Sequence, residues 1–102
     1  MLLIGITGTE LATEEREWLQ HPAVSGVILC ARNFASRAQV CALNDAMRAA
    51  TSRPLLLAVD QEGGPVQRFR NGFTALPALA RIGDAFERDA RAAVALAEEH
   101  AW

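Results

Sequence analysis

Three short, nearly unbroken apolar runs limit what this chain can fold into: Leu2-Leu3-Ile4-Gly5-Ile6-Thr7, Gly26-Val27-Ile28-Leu29-Cys30-Ala31 and Leu55-Leu56-Leu57-Ala58-Val59. A strand with one face in water alternates apolar and polar residues, whereas uninterrupted runs suit strands of a parallel sheet covered on both faces. Parallel strands need crossovers between them, and the intervening segments have helical patterns. Thr13 precedes Glu14 and Glu15, acids that suit the positive end of a helix dipole, and the pattern reaches Gln20 before His21-Pro22 breaks it. Ser36 is placed to cap a second helix over 37–50, with Val40, Cys41, Leu43, Asn44 and Met47 marking its inner side and edge.

The last third differs. Residues 77–83 predict a brief helical turn, and Asp84 a cap for a long helix over 85–101 with Phe86, Ala90, Ala93, Val94 and Ala97 on one face. The order is strand, helix, strand, helix, strand, long loop, helix, the alternation of an α/β protein. Three parallel strands cannot close a barrel, and an eight-stranded one typically needs about 250 residues. The chain therefore reads as the start of such an architecture, and nothing in residues 1–102 divides it into separate domains.

At 51% hydrophobic content the chain can bury a core, and its formal charge of -2 gives no general attraction to nucleic acid or anionic membranes. The N-terminus has no basic stretch before its apolar residues and its apolar run is too short to span a bilayer, so a cytoplasmic location is expected. Cys30 and Cys41 lack metal or redox-motif spacing and are expected to be buried small hydrophobes. His21, in a turn before proline, and His100, near a helix end, are expected to be structural or solvated.

The third apolar run ends in Asp60-Gln61-Glu62-Gly63-Gly64-Pro65-Val66-Gln67-Arg68-Phe69-Arg70. α/β folds present functional side chains at the C-terminal ends of their strands, which is where Asp60 stands. A carboxylate there can accept hydrogen bonds from two neighbouring sugar hydroxyls, and an arginine a few residues on can donate to another oxygen of the same ring, so that Asp60 with Arg68 would clamp a sugar. The alternative for Asp60 is a helix cap or a buried ion pair with Arg68. Gly63 and Gly64 allow positive φ and close backbone approach, which serve a ligand loop or a plain tight turn. Gln61, Glu62 and Arg70 read as braces of the loop, and Arg32-Asn33-Phe34 as rim contacts or a helix entry packed around Phe34. The loop lacks the spaced glycines and the lysine of a phosphate cradle and has no histidine or cysteine neighbours for zinc; Asp60 and Glu62 could at most hold magnesium.

These residues resemble the family 3 glycoside hydrolases, and within them the bacterial β-N-acetylhexosaminidases of peptidoglycan recycling. The resemblance rests on AVDQEGGPVQRFRNGFTALPA at 58–78, ATEEREWLQHPAVSGVILCARNF at 12–34 and AEEHAW at 97–102. It implies that residues 1–102 are the N-terminal portion of a (β/α)8 barrel and that Asp60 and Arg68 bind hydroxyls of N-acetylglucosamine, the carbohydrate partner being a muropeptide sugar. It implies no cofactor and no metal. The retaining mechanism of the family uses an aspartate nucleophile and a histidine acid/base, both downstream of the DQEGG motif in relatives, so no catalytic residue is expected in this chain and the 102 residues alone are expected to be inactive. Pro65 departs from the arginine that many relatives carry, removing one cation and one backbone donor. The alternative is a non-catalytic remnant, with at most weak sugar binding or partner docking through an open sheet edge.

Overall fold

Gly26 lies where nothing larger fits: a Cβ there would meet the Leu56 carbonyl oxygen and come within 2.7 Å of Leu3 Cδ2. It belongs to the central strand of a three-stranded parallel sheet, β1 (Leu2–Ile4), β2 (Val24–Leu29) and β3 (Leu56–Val59), in the order β1-β2-β3. Gly26 pairs with Leu3 on one side and with Leu56 on the other. The computed structural model describes residues 1–101 and comprises two compact units, Met1–Asp60 and a second that begins at Gln61. Trp102, the last residue of the segment quoted above, lies outside the described residues.

In the first unit, α1 (Thr13–Gln20) links β1 to β2, and α2 (Arg37–Ala49) links β2 to β3. Ser36 caps α2 as its sequence indicates, its hydroxyl accepting from the Gln39 amide at 3.1 Å. Ile6, Leu11, Leu19, Val24, Val27, Leu29, Val40, Leu43 and Met47 form the core, so the predicted inner face of α2 holds for three of its five residues. Asn44 is half-buried and Cys41 exposed, because Cys41 falls one position past the buried stripe; Cys30 is only half-buried. The expectation of two buried cysteines is thereby corrected.

Burial on both faces is met by β2 alone. Leu2, Leu3 and Leu56 are about half exposed, since β1 and β3 are the edges of this sheet. No described helix is long and apolar enough to cross a membrane.

The second unit contains a small antiparallel hairpin, β4 (Gln61–Gly63) and β5 (Val66–Gln67), then α3 (Leu79–Arg88) and α4 (Ala90–Ala101), which pack against each other. The hairpin replaces part of the expected loop. The helix boundary also moves: α3 runs through Asp84, and the break comes at Asp89, an extended residue whose Oδ1 accepts from the amides of Arg91 and Ala92 at 2.9 and 3.3 Å. Of the face predicted for the long helix, Ala93 is buried while Phe86 and Val94 are exposed.

Candidate functional site

The C-terminal ends of β1, β2 and β3 open into segments that differ in how they are held. After β2 the chain makes one 3-10 turn, Ala31–Asn33, in which Asn33 is wholly buried. Its Nδ2 donates to the carbonyls of Ile6 and Gly8 at 3.1 and 2.8 Å, and its Oδ1 accepts from the Cys30 amide at 2.8 Å. Arg32 Nε donates to the same Ile6 carbonyl at 2.9 Å. Asn33 is therefore a brace between the first two loops and not a surface for ligand; Phe34 is half-buried.

Glu15 performs the matching task below the first loop. It is 1% exposed, and its carboxylate accepts from the Thr7 amide and hydroxyl, both at 2.7 Å, and from the Ala12 amide at 2.9 Å. Burial pushes its pKa up, but the Thr7 hydroxyl, the Ala12 and Thr7 amides and the Arg32 cation outweigh that and hold it below the ordinary glutamate value. The sequence reading of Glu15 as a helix-dipole acid was incomplete: its main role is to anchor the strand-to-helix loop.

Asp60 directly follows β3 and is half-buried, the position its place in the sequence indicates. Arg68, in the second unit, follows β5 directly and is also half-buried. What holds the backbone around Arg68 is a pair of glutamine side chains. Gln61 Oε1 accepts from the amides of Arg68 and Phe69, both at 3.1 Å, and Gln61 Nε2 donates to the Phe69 carbonyl at 2.8 Å. Gln67, 4% exposed, donates from Nε2 to the carbonyls of Phe69 and Thr74 at 3.1 and 2.8 Å and accepts from the Leu76 amide at 2.9 Å. Phe69 is buried, its ring tilted against that of Phe73 with centroids 5.6 Å apart.

The glycine pair has two causes, both realised. Gly63 and Gly64 have φ of 83° and 54°, a region costly for residues with a side chain. They are also overlain by the returning chain: a Cβ on Gly63 would strike the Pro77 carbonyl oxygen and come within 2.9 Å of Leu76 Cβ, and one on Gly64 would come within 2.6 Å of Ala78 Cβ. The Gly64 amide donates to the Leu76 carbonyl at 2.9 Å, and Arg70 Nη2 donates to the Gly64 carbonyl at 2.6 Å. Arg70 is thus a brace, as the sequence suggests. Pro65 is exposed in the turn between Gly63 and Val66, the last paired residues of the hairpin, so its missing N–H removes no ladder bond.

His21 is exposed and its Nδ1 accepts from the Ala23 amide at 3.2 Å, a turn-stabilising role. His100 is half-buried, with its Cε1 3.0 Å from the position a Gly63 Cβ would take. Among the described residues no three histidine, cysteine, aspartate or glutamate side chains are grouped as a metal ion requires.

The model of the glycosyl hydrolase family 3 N-terminal domain matches residues 2–102. The chain belongs to glycosyl hydrolase family 3. It is similar to a beta-hexosaminidase of Stenotrophomonas maltophilia, 61% identical over 102 residues, which are all of this chain and 30% of that protein. Among solved structures it is similar to NagZ from Neisseria gonorrhoeae. A crystal of that protein with zinc ion superposes with a TM-score of 0.85 at 41% identity over 90% of this chain and 28% of that one. A second, in complex with N-trifluoroacetyl-D-glucosamine, superposes with a TM-score of 0.83 at the same identity over 90% of this chain and 27% of that one. The family 3 chain thus spans about three-tenths of the length of the curated relatives it matches, and its three parallel strands with their helices correspond to the N-terminal part of their barrel.

Proposed function

We propose that this family 3 chain is the sugar-gripping opening segment of a β-N-acetylhexosaminidase that releases terminal, non-reducing β-linked N-acetylglucosamine from muropeptide sugars in peptidoglycan recycling. The observation that carries the reading is the 61% identity, along the whole chain, to a protein named beta-hexosaminidase; the N-trifluoroacetyl-D-glucosamine complex of a 41% identical protein supports the sugar class. Asp60 accepts hydrogen bonds from ring hydroxyls, and Arg68 donates to a further oxygen of the same sugar. Neither is a nucleophile or a proton donor. Retaining hydrolysis needs both, and the family resemblance puts them after the DQEGG motif, so the 102 residues bind without turning over.

The test is steady-state kinetics of the enzyme that carries this segment, extended through its downstream reading frame, on a chromogenic N-acetyl-β-glucosaminide. Hydrogen bonds to a charged partner contribute about 1.5–3 kcal/mol, so Asp60→Ala and Arg68→Ala should each lower kcat/KM by roughly 10- to 100-fold. Unchanged kcat/KM in both variants would remove these two residues from the site.

A further inference from the structure

We propose that Gln61 is a positioning residue for Arg68, one that acts by supplying the peptide group the hairpin lacks at that point. The inference rests on the reading of Arg68 as a sugar-binding residue. Strand β5 ends at Gln67, so the amides of Arg68 and Phe69 and the carbonyl of Phe69 emerge from the ladder with no strand beside them. Backbone groups in that condition must find partners. The primary amide of Gln61 resembles a peptide unit, planar, with an acceptor at one corner and donors at the other. Its Oε1 takes both amides at 3.1 Å, and its Nε2 gives a proton to the Phe69 carbonyl at 2.8 Å. Glutamine alone meets this demand. Glutamate of the same length would set an oxygen against the Phe69 carbonyl, and asparagine is one methylene short.

The consequence is a fixed origin for the arginine side chain. A guanidinium on a four-bond stem reaches a defined oxygen only when its Cα is held, and two of the three Gln61 bonds lie on the amides that bracket that Cα. Gln67 serves a different purpose. It ties Phe69, Thr74 and Leu76 together and holds the returning chain, so its loss disturbs the whole loop. Gln61 carries the specific claim because its effect should pass through Arg68 to the sugar.

The experiment is a double-mutant cycle in the extended enzyme with the same chromogenic substrate: Gln61→Ala, Arg68→Ala and both together. Arg68→Ala should raise KM. Gln61→Ala should raise KM by roughly 10-fold while kcat stays within about twofold, the pattern of lost ground-state binding. The double variant should be no worse than Arg68→Ala, because removing the arginine leaves nothing for Gln61 to position. If Gln61→Ala does not fold, Gln61→Glu, which keeps an acceptor oxygen for the two backbone amides but loses the donor to the Phe69 carbonyl, carries the test with a KM rise of about threefold. An effect of Arg68→Ala with none of either Gln61 variant, or additive losses in the double variant, overturns the inference and spares the sugar-binding reading. No effect of Arg68→Ala overturns that reading and the inference with it.

Discussion

A carboxylate sealed from water at neutral pH must answer to donors, and Glu15 answers to three, two from Thr7 and one from Ala12. Its pKa is lowered, so the stabilisation it gives is complete above the ordinary value of an unfolded glutamate and is lost as pH falls through the lower folded value. Glu15→Gln should therefore reduce stability in urea unfolding at pH 7 by roughly 1–3 kcal/mol, the cost of poorly satisfied buried donors. The difference from the unsubstituted chain should shrink below pH 4. A constant difference across that range would show that the carboxylate charge is not what holds the loop. Single residues were the hardest scale to read from sequence. Asp60 and Arg68 stood out because charge at a strand end is conspicuous, whereas Gln61, Gln67 and Asn33 act through neutral amides whose value depends on which backbone groups lie opposite. The clue available was indirect: a glycine-bearing loop with little regular structure needs side chains to satisfy its backbone.

At the level of elements, the apolar runs located all three parallel strands, and Ser36 located the start of α2, because burial periodicity and capping are local signals. The hairpin of β4 and β5 was not legible, since Gln61-Glu62-Gly63 is polar and glycine-rich and its pairing depends on glycine φ values and on a chain that returns ten or more residues later. The second misplaced feature was the cap of the last helix. Asp84, the cap indicated by the sequence, lies inside α3; the break comes at Asp89, with its Oδ1 taking the amides of Arg91 and Ala92. Asp89→Ala should thus destabilise the chain by roughly 0.5–2 kcal/mol in thermal or urea unfolding, while exposed Asp84→Ala should change stability by less than about 0.5 kcal/mol. Equal effects would place the helix break elsewhere.

Across the whole molecule, the central strand is buried while Leu56, 57% exposed, and Leu2, 54% exposed, lie on edge strands. An apolar parallel edge is a liability that barrels abolish by closure. This fits a chain that spans three-tenths of its beta-hexosaminidase relatives and corresponds to the N-terminal part of their barrel. That partial sheet was legible in the sequence because three strands were plainly too few for closure. The central proposal is that binding and chemistry are divided, with the sugar grip in these 102 residues and the nucleophile and acid/base outside them. The direct measurement is hydrolysis of a chromogenic N-acetyl-β-glucosaminide by the purified 102-residue chain beside the protein extended through its downstream reading frame. Release of chromophore by the extended protein alone is the predicted result; turnover by the short chain would contradict it.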